Sequence, residues 1–422
     1  MKVKFHTLGC KVNQYETQRI REAFLARGLT EASAADKADI YIVNTCTVTH
    51  KADRESLYWI HRSHRENPGA PIIVTGCMAA FDLKLLKAQA GVRCVVGNER
   101  KLELPDICRR FLPASRRKRA AAIGPPPAGI SFFEGHTRAF LKIQDGCNNR
   151  CSYCKVALVR GASRSRSQDE IVDEARQLVA HGFREIVLTG ICLGAYGRDV
   201  QPKQDLASLI GALETLPGLE RVRLSSIEAG DVTPGLIAAL AGSRVMCRHL
   251  HIPIQSGDDQ ILKAMRRRYT AADYARLIRR IRKAVPGVAI TTDVLVGFPG
   301  EEERHFQNTL KLVRAIKPSG VHIFPYSPRP GTAAFGLKEP WAGAQTVKER
   351  MRRLEAAAEK LRVAYRKKFL GRTVAVLFES RLKEDPQCWE GHTDTYLKVR
   401  LRSRRNLENR TLQVRLTRDC IG

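Results

Sequence analysis

Three cysteines stand within eight residues in the stretch DGCNNRCSYC: Cys147, Cys151 and Cys154. Three thiolates are one more than a disulfide uses and one fewer than a closed tetrahedral metal site takes. A [4Fe–4S] cube held at three corners keeps one iron without a protein ligand, and an open metal position is where a small molecule binds. The spacing therefore points to a cluster that does chemistry rather than one that only carries electrons. A zinc site completed from a distance, by His136 or His181, is the alternative. Zinc ribbons repeat their close C-x-x-C pair, and no matching second pair occurs here.

A second set is dispersed: Cys10 ends FHTLGC, Cys46 ends IVNTC and Cys77 ends IVTGC, about 30 to 36 residues apart. Each follows a strand-like run, and in a parallel sheet such strand ends share one edge. One buried cysteine is usually a small hydrophobe, but three at equivalent strand ends can meet around a second cluster with its own open iron. Cys94, Cys108, Cys192, Cys247, Cys388 and Cys420 show no ligand-like spacing and read as structural or incidental.

The elements that must position these residues follow from periodicity. KVKFHTL, DIYIVNT and PIIVTG read as buried strands, with helices expected over 14–27 and 52–65, so residues 1–112 form an α/β domain around a parallel sheet. Residues 113–136, charged and then Ala- and Pro-rich, read as a linker. Six further strand candidates over 137–368 (RAFLKI, EIVLTG, RVRLSS, RHLHIPI, AITTDVLVG and GVHIFPY) alternate with amphipathic stretches. They imply a partial (β/α)6 barrel, open on one side, with its chemistry at the strand C-termini. A long charged helix over 345–370 is followed at 369–422 by a period of two, in TVAVLFES, YLKVRL and TLQVRLT, the mark of a small antiparallel β-barrel.

Charge bounds the partners. The 422 residues carry 72 Lys plus Arg against 43 Asp plus Glu, a net +29, which favours a polyanion such as nucleic acid. The opening MKVKFHTLGC lacks a secretory apolar stretch, and no run reaches the ~18 apolar residues of a membrane span, so a cytoplasmic protein with reduced cysteines and no membrane association is expected. Basic runs at 116–119, at Arg266, Arg267 and Arg268, at 279–283, and the set Lys398, Arg400, Arg402, Arg404 and Arg405 are candidate phosphate contacts. The last set, beside Trp389 and Tyr396, makes the C-terminal unit the favoured RNA platform.

CNNRCSYC resembles the C-x-x-x-C-x-x-C signature of the radical S-adenosylmethionine enzymes. That resemblance implies a cluster whose open iron chelates S-adenosylmethionine, cleaved on reduction to methionine and a deoxyadenosyl radical, with Tyr153 near the adenine. Further cofactor contacts are expected at strand ends: Gly190 for close backbone approach, Ser226 and Glu228 for ribose hydroxyls or the methionine amine, and Gln255 for adenine. Two three-thiolate sites together suggest radical-driven insertion of sulfur at an unreactive C–H bond.

Nearly the whole chain is similar to the methylthiotransferase family, through TLGCKVNQYET, CSYC with the nearby RSR, LSSIEAGD, HLHIPIQSGDD, MRRRYT and VGFPGE. The family implies an auxiliary cluster on Cys10, Cys46 and Cys77, a central radical domain, and a C-terminal RNA-binding barrel called TRAM. It also implies S-adenosylmethionine as both methyl donor and radical source. LGCKVNQYET looks most like the branch that methylthiolates C2 of N6-threonylcarbamoyladenosine beside the tRNA anticodon. The alternatives are N6-isopentenyladenosine, and a ribosomal protein aspartate, against which Lys11 argues because that branch usually has proline there. A non-catalytic iron–sulfur or zinc tRNA-binding protein is the reading from a different class. Expected partners are the anticodon stem-loop and a reductant such as flavodoxin or ferredoxin, with the chain a monomer. KVALVRG after Cys154 departs from the family's Ile-Pro-type stretch, which leaves the ligands intact but the local loop conformation open.

Overall fold

The computed structural model describes residues 2–33, 35–111, 129–133 and 135–420. The first sheet has five parallel strands, β1 Lys2–Thr7, β2 Thr30–Glu31, β3 Ile40–Thr45, β4 Ile72–Gly76 and β5 Val92–Val95, in the order β2-β1-β3-β4-β5. Strands β3 and β4 are buried along their whole length, as unbroken apolar runs require of strands covered on both faces. Helix α1, Lys11–Leu25, packs Ile20 and Phe24 against the face carrying Ile40, Ile42 and Ile73. Helix α2, His50–Glu66, places Ile60 on the opposite face, with Tyr41, Val43 and Val74. Helix α1 starts three residues earlier than periodicity suggested, so Cys10 is its N-cap residue. The edge strands β2 and β5 were not foreseen, because runs of two and four residues carry little alternation. Helices α3 Leu83–Lys87 and α4 Leu104–Arg109 complete this unit.

The linker expected at 113–136 falls mostly outside the described residues, as does the whole basic run at 116–119. All six expected barrel strands are present: β6 Arg138–Lys142, and after the short antiparallel ribbon β7 Gln144–Asp145 and β8 Arg164–Ser165, β9 Glu185–Thr189, β10 Arg221–Leu224, β11 His249–His251, β12 Ala289–Val296 and β13 Gly320–Pro325. Two parallel three-stranded sheets, β10-β9-β6 and β11-β12-β13, join through bridges at Val222–Met246 and Ser226–His251 into an open arc. The covering helices are α5 Val156–Arg160, α6 Gln168–Ala180, α7 Leu206–Glu214, α8 Pro234–Gly242, α9 Asp259–Ala264, α10 Ala271–Ala284 and α11 Glu303–Ile316. Ala139, Leu141, Ile186, Leu188, Val222, Leu224 and Ile290 form the core with these helices. By the strand period of two, Arg138, Phe140, Lys142, Glu185, Arg221, Arg223, His249, His251, Thr291, Asp293 and His322 line the other, inner face.

Helix α12, Ala344–Lys367, leads into β14 Thr373–Arg381, β15 Cys388–Thr393, β16 Lys398–Arg402 and β17 Thr411–Arg415, an antiparallel half-barrel in the order β16-β15-β14-β17. Strand β15 was missed because CWEGHT breaks the alternation with Gly391, where a Cβ would lie 2.3 Å from the Leu377 carbonyl oxygen. This sheet has its own core around Phe378, Trp389 and Val399. It docks on the barrel where Arg221 donates to the His392 carbonyl at 2.9 Å and Arg223 to that of Asp394 at 3.1 Å. Tyr396 fills the joint, its ring stacked 4.8 Å from His249 and 4.9 Å from His392. No helix among the described residues is long and apolar enough to cross a membrane.

Candidate functional site

Cys10, Cys46 and Cys77 directly follow the three adjacent strands β1, β3 and β4, at the edge where parallel strands end together ~4.7–4.9 Å apart. Two backbone cradles let them approach. Gly9 has φ +90°, and a Cβ there would sit 2.8 Å from the Cys46 sulfur; Gly76 has φ +100°, and its Cβ would meet the Thr45 carbonyl oxygen at 2.3 Å. Burial pushes the Cys46 thiol up to about 11, and Cys77 and Cys10 push it further, so the sulfurs oppose one another's ionisation. Cys77 is likewise raised by burial, against the pull of Arg160 and Lys101. Arg160 Nε donates to the Cys77 sulfur at 3.3 Å. Ser56 ties down the Cys46 backbone, donating from Oγ to its carbonyl at 3.0 Å.

The second set is held in the loop between β7 and β8. Gly146, at φ +72°, admits no side chain, since a Cβ would lie 1.9 Å from the Ala162 carbonyl oxygen. The loop is then fixed through Ser152, whose Oγ donates to the Ala264 carbonyl at 2.8 Å and whose N–H donates to that of Met265 at 3.1 Å. Burial raises Cys151 and takes Cys154 to about 11. Cys147 moves the other way, to about 7, because the Cys192 thiol donates to its sulfur. Cys192 is therefore not incidental: it adjoins the motif, with its backbone N–H donating to Gln144 Oε1 at 2.8 Å.

The expected cofactor residues divide. Tyr153 is turned inward, and Arg267 donates to its hydroxyl at 2.5 Å while also pairing with Glu228. Gln255 adopts a left-handed φ of 69° and is bonded through its backbone to Asp293 and Leu295, while Ser226 is exposed beside His251. Gly190 does permit a close approach, but by Gln144, whose Oε1 a Cβ would meet at 2.9 Å.

Arg267 is a correction to the RNA list: with its side chain 5% exposed between Glu228 and Tyr153, it cannot reach a phosphate outside. Arg266 and Arg268 are exposed. Lys398, Arg400 and Arg402 line the outer face of β16, paired with Glu390 at 2.7 Å, Glu390 at 3.3 Å and Asp385 at 2.8 Å. Arg404 and Arg405 are exposed beyond the strand end. The two aromatics proposed as stacking platforms are occupied, Trp389 in the half-barrel core and Tyr396 in the joint with the barrel.

Sequence reading missed the residues that connect the two sets. Arg160, six positions after Cys154, reaches Cys77, Asn13, Glu16 and Asp145. Burial opposes the charge on Glu16, but Lys101, Lys142 and Arg160 outweigh it and hold the carboxyl well below the usual range. Arg329 pairs with Asp53 at 2.6 Å and donates to Thr47 at 3.0 Å, clamping the loop after Cys46 from the barrel side. The departure KVALVRG thus forms α5, which runs along the auxiliary loop: Lys155, buried, stands over the Phe81 ring and is pushed down to about 8 by that burial. On the inner face, His251, Asp293 and His322 bring ligand-type atoms within 4.8 Å of one another. Their alternation in HLH, TTD and VHI was the available signal.

The donor sets fit iron–sulfur clusters better than zinc. Tetrahedral zinc at 2.3 Å from each sulfur needs sulfurs ~3.8 Å apart. Among the described residues no three cysteines bring their sulfurs all within 4.8 Å, which leaves room for a multi-iron unit. His181 is hydrogen-bonded to the Gln177 carbonyl at 2.8 Å, and His136 packs on Phe133 at 4.8 Å, so neither completes a zinc site.

An open parallel arc with a three-cysteine loop after its first strand defines the class: residues 141–313 match the Radical SAM superfamily, and residues 2–97 match a family described as uncharacterized protein family UPF0004. The chain is 38% identical over 426 residues to threonylcarbamoyladenosine tRNA methylthiotransferase MtaB of Bacillus subtilis, covering 98% of this chain and 93% of that one. It is 37% identical over 383 residues to the protein of the same name from Thermotoga maritima (89% and 86% covered), and 34% over 420 residues to tRNA-2-methylthio-N(6)-dimethylallyladenosine synthase of Carboxydothermus hydrogenoformans (97% and 95%). Among solved structures, the fold is similar to the radical S-adenosylmethionine methyltransferase TsrM of Kitasatospora setae, at TM-score 0.56 and 17% identity over 79% of this chain and 76% of that one. The chain belongs to the radical S-adenosylmethionine methylthiotransferase family. It is an enzyme whose cofactors are S-adenosylmethionine and two [4Fe–4S] clusters.

Proposed function

We propose that this protein methylthiolates C2 of N6-threonylcarbamoyladenosine next to the anticodon of tRNA, giving the 2-methylthio derivative. The observation that carries the reading is the pairing of two three-cysteine sets at strand C-termini, tied to each other through Arg160 and Cys77. Cys147, Cys151 and Cys154 would hold the cluster that binds S-adenosylmethionine, and Cys10, Cys46 and Cys77 the auxiliary cluster. When bound, these groups supply the reducing electron, a hydrogen-atom acceptor and the sulfur that enters the base.

The chain's own residues bind and orient. Ser152 anchors the first cluster loop, while Arg267, held by Glu228 and Tyr153, forms a fixed charged wall beside Cys151. Arg160 and Arg329 hold the auxiliary loops against the barrel, so the reactive space between the sets is closed to water by paired side chains. The target adenosine must leave its stack to enter. A flavodoxin- or ferredoxin-type reductant, a monomeric state and a cytoplasmic location accord with this reading.

Mass spectrometry of tRNA nucleosides from cells with and without the protein tests the substrate. Loss of the 2-methylthio group from threonylcarbamoyladenosine, with the isopentenyl nucleoside intact, is the expected result; the converse would move the chain to the dimethylallyl branch.

For tRNA docking, Arg404 and Arg405 are the proposed phosphate-binding residues on the half-barrel. An Arg404→Ala/Arg405→Ala double variant should weaken tRNA binding and lower the salt slope of log K by ~0.7–0.9 for each phosphate that is no longer neutralised. An unchanged slope in filter binding at graded salt would place recognition on the other domains.

A further inference from the structure

The inner face of the barrel separates its cations into two kinds. Arg138 is paired with Glu379 at 3.0 Å, Lys142 with Glu16 at 2.6 Å and Asp145 at 2.6 Å, Arg221 with Glu185 at 3.7 Å, and Arg223 with Glu185 at 2.6 Å. These charges are spent on holding the domains together. Lys11 is different. It is the first residue of α1, which packs on β6, and it is exposed, with its ammonium 6.0 Å from the centre of the Phe140 ring. Among the described residues it has no carboxylate partner. It lies in the same space as the barrel imidazoles: after the larger effect of burial, its charge helps lower the proton affinity of both His249 and His322.

That space is built for an anion. His322 is exposed on the inner face and, kept neutral, offers an N–H. Its neighbour Asp293 is engaged by His251 Nε2 at 3.1 Å, and His251 Nδ1 is taken by Thr291 Oγ1 at 2.9 Å. Read as a metal triad, His251, Asp293 and His322 would have to place a divalent cation near the unneutralised Lys11, with both His251 nitrogens already committed. A carboxylate has neither difficulty, and a charge-assisted hydrogen bond to an ammonium is among the stronger polar contacts.

We infer that Lys11, with His322 donating beside it and Phe140 as an apolar floor, binds the carboxylate of the N6 substituent of the target adenosine. The inference rests on the substrate reading above and sharpens it: threonylcarbamoyladenosine carries a carboxylate, the dimethylallyl nucleoside none. Lys11, next to Cys10, sets the specificity of the cavity beneath the auxiliary cysteines.

The test compares anticodon stem-loop RNAs bearing threonylcarbamoyladenosine or its neutral methyl ester as substrates for the anaerobically loaded holoenzyme. The wild type is expected to favour the acid over the ester by about 10- to 100-fold in kcat/KM, mostly through KM. Lys11→Met should bring the two substrates to within about 3-fold of each other, and Lys11→Arg should restore part of the preference. Because Lys11 adjoins Cys10, iron content is measured on each variant. If Lys11→Met loses iron, His322→Phe, distant from any cysteine in sequence, takes its place and should reduce the preference by at least about 3-fold. A wild type that uses acid and ester equally, or an iron-replete Lys11→Met that keeps the full preference, overturns the inference. Product from neither RNA would remove the substrate reading itself, and this inference with it.

Discussion

Replacing Cys46 with alanine is expected to lower methylthiolation by more than about 100-fold while S-adenosylmethionine is still cleaved to deoxyadenosine. Cys151→Ala should remove both. The asymmetry follows from where the two thiols sit. Cys151 lies in the loop fixed by Ser152 to Ala264 and Met265, beside Arg267, Glu228 and Tyr153. Nothing in that loop depends on Cys46. Cys46 is in the other sheet, against Gly9, with its backbone held by Ser56. Loss of a ligand exceeds the 10- to 100-fold typical of losing a group that merely supports one. Deoxyadenosine and methylthio product measured in the same anaerobic reactions decide the matter. Full product from the Cys46 variant, or deoxyadenosine from the Cys151 variant, would contradict the division of labour.

Arg160→Met should destabilise the protein by about 3–5 kcal/mol, the cost of removing one partner from a buried ion network, and should lower the iron content of the auxiliary site. The guanidinium is buried and meets Glu16 at 2.6 Å and Asp145 at 3.3 Å, and it donates to the Cys77 sulfur at 3.3 Å. Without it, Lys101 and Lys142 still neutralise Glu16, but Asn13 and Cys77 lose their link to the radical domain. Denaturant unfolding reads the stability and iron analysis reads the site. A variant with wild-type values in both would show that the two cysteine sets are organised independently.

The large features were legible because each leaves a period or a spacing. Six barrel strands stand where apolar runs put them, and the strand-end position of Cys10, Cys46 and Cys77 follows from parallel-sheet geometry alone. What escaped was long-range pairing of charge. RRR at 266–268 looks like one basic patch, yet only Arg266 and Arg268 face outward, because the barrel supplies Glu228 and Tyr153 to Arg267 from far along the chain. Arg160 was invisible for the same reason, since its partners come from α1, the auxiliary loop and β7. Aromatic residues misled in the half-barrel: Trp389 and Tyr396 have the composition of a base-stacking platform, but one fills the core and the other the domain joint. Cys192, without motif spacing, reaches Cys147 only because β9 ends beside the loop that follows β6.

The central claim is that two separate three-cysteine sets each hold a [4Fe–4S] cluster. Iron and sulfide analysis of the anaerobically reconstituted full chain tests it most directly. The account predicts about eight irons per wild-type chain and about four in a Cys10→Ala/Cys46→Ala/Cys77→Ala triple variant that still cleaves S-adenosylmethionine. A triple variant that retains eight irons, or a wild type that never exceeds four, would contradict it.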